Sequence, residues 1–220
     1  MVERCREQEE TRRRDMVRYH LRERGICSPA VLAAMTAIPR HMFVPSHLRS
    51  SAYHDRPLPI GHNATISQPS VVALMTELLT LSPTDRVFEL GTGSGYQTAV
   101  LASCAGEVFS VERVPELAAM ARQNLAAAGV TNARVFTCDA TTITGRYAPY
   151  DAAILTAASP ALPTYLYPFI RDGGRIVAPV GERDGQQLVL ITVDGGIGSV
   201  EERGKVRFVP VIGRHGFADE

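Results

Sequence analysis

Three carboxylates and three glycines are the residues of this chain whose types and spacing point first to chemistry. Gly91, Gly93 and Gly95 alternate directly after the apolar run Arg86-Val87-Phe88-Glu89-Leu90. Glycine takes positive φ and lets the backbone approach a ligand with no Cβ in the way. A helical pattern begins at once with Tyr96, Val100 and Leu101, so the segment reads as strand, tight turn and helix N-terminus. In an open parallel sheet, ligands bind at such a junction. Glu89 closes the strand before the glycines, Glu112 closes the next one and Asp139 the third. Glu112 stands about 20 residues beyond Gly91, where a carboxylate can accept both hydroxyls of a ribose. Asp139 falls where a carboxylate or its neighbours can read an adenine edge. Each feature has a plainer reading, a ligand-free bend or a surface charge. Together they imply a nucleoside site.

The spacing narrows the ligand. Dinucleotide folds favour G-x-G-x-x-G, whereas here the third glycine comes one residue early and Tyr96 takes the sixth position. An anionic pyrophosphate would also sit awkwardly beside Glu89. The acidic-x-G-x-G-x-G pattern resembles that of S-adenosylmethionine enzymes, whose ammonium and sulfonium a carboxylate would favour. The ribose carboxylate alone leaves NAD open.

Bulk properties say what the partner is not. The chain has 220 residues, 23 basic and 23 acidic, with zero formal net charge, so electrostatics give no reason to expect nucleic acid. Cys5, Cys27, Cys104 and Cys138 are scattered without C-x-x-C pairs or nearby histidines, which suggests neither zinc nor a disulfide framework. No apolar run approaches the ~20 residues of a membrane span. A cytoplasmic enzyme with no metal, no membrane partner and a monomeric state is the expectation.

The elements that must position these residues follow. Residues 1–15 are dense in charge and allow a frayed helix or a disordered tail. One domain is expected over 16–220, with a cap and substrate loop at 16–66 and the sheet at 67–220. Met16, Val17, His20 and Leu21 form a helical stripe ending at Gly25. Ser28-Pro29 starts a second helix, with Val31, Leu32 and Met35 on its buried face. Residues 40–66 are rich in proline, without clear periodicity, and are expected as a packed loop. Ser67-Gln68-Pro69 marks the next N-cap, before an amphipathic helix through Leu79. Strands are expected at 86–90, 107–111, 133–138, 151–155 and 175–178, with helices near 94–104 and 115–128. This alternation predicts an α/β fold, a doubly wound, mostly parallel sheet with a helical cap. Residues 187–193 and 205–209 are expected as a C-terminal antiparallel hairpin.

Several blocks in order then resemble one family. Pro39-Arg40-His41-Met42-Phe43-Val44-Pro45, Asp55-Arg56-Pro57-Leu58-Pro59-Ile60-Gly61 and Ala64-Thr65-Ile66-Ser67-Gln68-Pro69 come first. Val72 to Leu79, the glycine turn, Ser110-Val111-Glu112-Arg113 and Arg207-Phe208-Val209-Pro210 complete the pattern. They resemble the protein-L-isoaspartate O-methyltransferases, over roughly residues 16–213. The Thr-Ile-Ser-Gln-Pro block is more specific than the glycine turn, since no general methyltransferase needs it.

The resemblance implies a Rossmann-like S-adenosylmethionine-dependent methyltransferase that leaves S-adenosylhomocysteine. Its substrate would be the free α-carboxylate of L-isoaspartyl residues in damaged proteins and peptides, and the ester would close to a succinimide. Ser67 matches the active-site serine. Ala64, Thr65, Ile66, Ser67, Glu89, Gly91, Gly93, Gly95, Glu112, Arg113, Asp139 and Ala140 match cofactor-contacting positions. An α-carboxylate with a pKa near ~3.5 is already ionised at neutral pH, so the missing Ser-His-Asp, Cys-His and metal constellations fit this chemistry. The chain has Cys138-Asp139-Ala140 where the family commonly shows Gly-Asp-Gly, and it lacks tryptophan. A relative that esterifies an aspartate side chain of a dedicated peptide, and an adenosyl-binding module without turnover, are the alternatives.

Overall fold

The computed structural model describes residues 2–139 and 144–218. Seven strands form the main sheet: β3 (Arg86–Leu90), β4 (Glu107–Glu112), β5 (Ala133–Thr137), β6 (Tyr150–Leu155), β7 (Ile170–Glu182), β8 (Gly185–Asp194) and β9 (Ile197–Val206). Their order is β5-β4-β3-β6-β7-β8-β9. Pairings from β5 through β7 are parallel, and β7, β8 and β9 pair antiparallel. The chain leaves β3 towards β4 on one side and later returns as β6 on the other. The switch point, where such sheets bind ligands, therefore lies at the end of β3.

Side-chain alternation sorts the strand residues between two faces. Val87, Val108, Ala152, Ile154 and Val177 pack under α3 (Pro69–Leu79) and α4 (Tyr96–Cys104), against Met75, Leu79 and Leu101. Phe88, Leu90, Phe109, Val111, Ala153 and Leu155 face the other way, onto Tyr147, Tyr165, Leu166 and Phe169. The described residues of that second cover are short 3-10 turns, Thr144–Arg146 and Thr164–Phe169, and aromatic rings fill the layer. The helix-side face also takes α5 (Pro115–Ala127).

At the N-terminus, residues 2–15 form helix α1 (Val2–Asp15), which runs on through Met16–Leu21 to Gly25 at φ 85°. Ser28 caps α2 (Pro29–Ala37), its hydroxyl accepting from the Val31 amide. Met16, Leu21, Val31, Leu32 and Met35 share one core with Tyr96, Ala99 and Val100 of α4, so the cap is fused to the sheet's helices.

Two expectations need correction. The passage 40–66 is not loop throughout, because β1 (Leu58–Gly61) and β2 (Ala64–Ile66) pair antiparallel around His62 and Asn63, both at positive φ. The first strand of the C-terminal hairpin falls where expected, 187–193 lying inside β8, but its second strand, β9, lies earlier than 205–209. Its turn is at Gly195 and Gly196, Gly198 is inside β9, and residues 207–209 lie beyond the strand. Gly198 stays in the strand because Tyr167 packs over it, leaving no room for a Cβ.

Candidate active site

A cavity of about 430 Å³ opens at the end of β3, within the size range of small-ligand sites. Its floor is the glycine turn. Gly91 has φ 96° and Gly93 has φ 55°. A Cβ on Gly91 would collide with Thr156 Oγ1, which donates hydrogen bonds to the Leu90 and Gly91 carbonyls. The turn is thus pinned from β6's end and must be glycine where it is pinned.

Glu112 ends β4 against the same turn. Its Oε2 accepts the Gly93 amide at 2.8 Å and its Oε1 accepts the Val114 amide at 3.0 Å. Those bonds fix the carboxylate while leaving each oxygen a further lone pair, the arrangement that a vicinal diol requires. Arg113 lines the cavity beside it. Asp139, at the end of the β5 segment, is covered by a C-terminal strap. The Arg214 amide donates to its Oδ2 at 3.3 Å, and a Cβ on Gly213 would come within 2.7 Å of that oxygen. Residues 208–216 of the strap line the cavity. Arg183 holds the strap's far end through the Ala218 carbonyl and the Phe217 ring, and His215 stacks on Tyr165 with centroids 4.3 Å apart.

The opposite wall is the β1–β2 hairpin with residues Ala64, Thr65, Ile66 and Ser67. Ile60 of the hairpin reaches to within 3.5 Å of where a Gly93 Cβ would stand, so the hairpin folds directly over the turn. Ser67 is half-buried, and its hydroxyl has no hydrogen-bond partner among the described residues. It is not the cap of α3, because Gln68 occupies that position and gives no side-chain cap bond. The cap comes instead from Asp55, whose two oxygens take the Ser70 amide and hydroxyl at 2.9 Å each.

The family model described as protein-L-isoaspartate(D-aspartate) O-methyltransferase matches residues 11–216. The chain belongs to this family.

Similar members of the isoaspartate methyltransferase family span nearly the whole chain. A protein-L-isoaspartate O-methyltransferase of Methanospirillum hungatei is 48% identical over 210 residues, covering 96% of this chain and 97% of its own. One from Methanoculleus marisnigri is 52% identical over 208 residues, 94% of each chain. A solved protein-L-isoaspartate O-methyltransferase has a TM-score of 0.84 at 26% identity, over 92% of this chain and 67% of that one. A second, from Plasmodium falciparum and in complex with S-adenosyl-L-homocysteine, has a TM-score of 0.77 at 24% identity, over 90% of this chain and 96% of that one.

Of the positions that the methyltransferase resemblance nominates, Ala64, Thr65, Ile66, Ser67, Gly91, Gly93, Glu112, Arg113 and Asp139 meet around the cavity. Two do not. Glu89 does not line it: its place in the alternation puts it on the helix-covered face, where the carboxylate accepts the Thr98 hydroxyl at 2.6 Å. It is completely buried, and desolvation pushes its pKa up to about 7 against the pull of the Thr98 and Ser110 hydroxyls. Gly95 (φ 87°) caps α4 and packs against α5, a Cβ there meeting Leu125 at 3.2 Å. Ala140 lies outside the described residues. Cys138 is half-buried and lines the cavity.

Arg40 of the Pro39–Pro45 block lies away from the cavity lining. It is fully buried with Nε donating to the Ala52 carbonyl at 2.7 Å, a clamp on the loop, and burial pushes its pKa down to about 10. His41 bonds the Tyr53 hydroxyl at 2.7 Å. Thr156, Tyr165 and the strap were not legible as wall residues. Thr156 follows a strand end like many residues, and the block around Phe208 carried only the family pattern.

Proposed function

We propose that the chain transfers a methyl group to the free α-carboxylate of L-isoaspartyl residues in proteins and peptides, initiating their repair through a succinimide. The half-buried Ser67 hydroxyl carries the reading. It stands on the cavity wall relieved of capping by Asp55 and is available to a substrate. The residues present fit an adenosyl cofactor: a glycine turn on the cavity floor held open at Gly91 against Thr156, and a Glu112 carboxylate held for a diol. S-adenosylmethionine, when bound, supplies an electrophilic methyl group and departs as a neutral thioether.

The chain's own residues do the rest. Glu112 fixes the ribose, and Asp139 with the strap encloses the adenine end. Ser67 donates a hydrogen bond to the substrate carboxylate and orients one oxygen for in-line attack, where alignment supplies most of the acceleration. A neutral hydroxyl suits this task, because a cation would pair with the carboxylate and blunt it. No group need remove a proton. The hairpin and the strap keep water from the electrophile. We take the working form to be a cytoplasmic monomer.

Labelled methyl transfer to matched peptides tests the reading. Label on the isoaspartyl peptide alone supports repair, whereas label on an aspartyl peptide or cofactor binding without transfer overturns it.

A further inference from the structure

Glu89 is a completely buried carboxylate that the reaction as derived leaves unused. It is the last residue but one of β3, two positions before Gly91, and is fully buried, as are Thr98 and Ser110 beside it. Its Oε2 takes the Thr98 hydroxyl, while Oε1 completes no hydrogen bond. The Ser110 hydroxyl is near enough to favour the charge, but it is engaged at 2.6 Å with Thr92 Oγ1. Thr92 in turn lines the cavity. A line of hydroxyls therefore joins a buried carboxylate to the cofactor wall. Glu112 on β4 is the ionisable group that Glu89 feels, and it too is acidic. An unbalanced acidic pair this deep is costly unless something cationic arrives.

We propose that Glu89 is a positioning residue whose buried charge makes the site prefer the cationic methyl donor over its neutral thioether product. This rests on reading the cavity as the S-adenosylmethionine site. Donor and product share adenosine, ammonium and carboxylate and differ by the sulfonium charge, so contacts at Glu112 and Asp139 serve both. A field from Glu89 does not. When Glu89 is ionised, Ser110 can turn its proton to Oε1 and Thr92 can donate to Ser110, leaving Thr92 oxygen lone pairs towards the cavity. When Glu89 holds its proton the line reverses, and Thr92 is free to present its O–H. Both effects favour a cation only in the ionised state. Because burial places this titration near neutrality, donor binding drives the Glu89 proton out to solvent, and departure of the product lets it return.

Calorimetry of the purified chain with S-adenosylmethionine and S-adenosylhomocysteine, in buffers of different ionisation enthalpy, tests this. The ratio of product to donor dissociation constants is expected to rise on the order of tenfold from about pH 6 to about pH 8.5, as one buried charge gives at an effective dielectric near 20. Near neutrality the donor should release more protons than the product. Glu89→Gln, which keeps the shape and the acceptor for Thr98, should flatten the ratio and equalise the proton counts. Thr98→Val should move the midpoint to higher pH, since it removes a donor to the charged form. A flat ratio in the native chain, or an unchanged slope in Glu89→Gln, would overturn the inference while leaving the methyltransferase reading intact. Failure of both ligands to bind would overturn both.

Discussion

The Asp55 carboxylate caps α3 from the preceding loop, Oδ1 taking the Ser70 amide and Oδ2 the Ser70 hydroxyl, both at 2.9 Å. Arg24 holds the same carboxylate through Nε at 2.9 Å. Cap and N-terminal helices thereby converge on the segment that carries Ser67. Asp55→Ala should cost about 1–2 kcal/mol of stability by urea unfolding, as loss of a helix cap does. Turnover should fall more than cofactor affinity, because the displaced segment is Ser67's. Equal losses in both would detach Asp55 from the placement of Ser67.

Ser67→Ala removes the hydroxyl and little else, since that group holds nothing in the fold among the described residues. Stability should stay within about 0.5 kcal/mol. Turnover should drop on the order of tenfold or more, the worth of one hydrogen bond to a charged group. Cofactor dissociation constants measured alongside should barely move. Unchanged turnover would remove Ser67 from the chemistry.

Glu112→Ala takes away the acceptor of the Gly93 and Val114 amides together with the proposed ribose contact. Two charge-assisted bonds are worth roughly 3 kcal/mol or more in total, so cofactor affinity should fall on the order of a hundredfold. Equilibrium binding of S-adenosylhomocysteine measures it directly. An intact dissociation constant would refute the ribose assignment.

Two glycines of the same turn should respond differently to alanine. At Gly91 a Cβ meets Thr156 Oγ1 on the cavity floor, while at Gly95 it meets Leu125 and Ala121 between α4 and α5. Both also pay for a positive φ, about 1–2 kcal/mol each. Gly91→Ala should abolish measurable cofactor binding in protein that still folds. Gly95→Ala should lower the melting temperature and leave much of the binding. The reverse pattern would show that Gly95, not Gly91, carries the cradle.

This contrast marks how far the sequence could be read. The strand-turn-helix unit at 86–104, Glu112 and Asp139 were legible because alternation and glycine placement are local consequences of backbone sterics. The sheet's parallel half followed from the same periodicity. Glu89 and Gly95 do not line the cavity, which the spacing could not tell, because motif spacing does not say which side of a strand a residue faces, and only the packed α4 and α5 decide it. The capping of α3 escaped as well, since Asp55 lies 15 residues from the amide it serves. The β1–β2 hairpin was masked by prolines that sit at its edge, where no ladder donor is needed.

The raised pKa of Glu89 carries a sign that stability measurements can check. Its carboxyl titrates near 4.5 when unfolded and at about 7 in the fold, so the native state binds the proton more tightly. The penalty for keeping this group ionised is therefore absent below the unfolded value. It grows as pH rises through the window between the two and is complete above about 7. Glu89→Gln has no proton to lose. Relative to the native chain, it should gain stability with rising pH, by about 2–3 kcal/mol between acid and mildly alkaline conditions. Thermal unfolding without cofactor, at about pH 5 and about pH 8, resolves a difference of that size as several degrees. Equal shifts at both would mean that Glu89 is ionised throughout, stabilised by its hydroxyl partners Thr98 and Ser110 more strongly than burial opposes it.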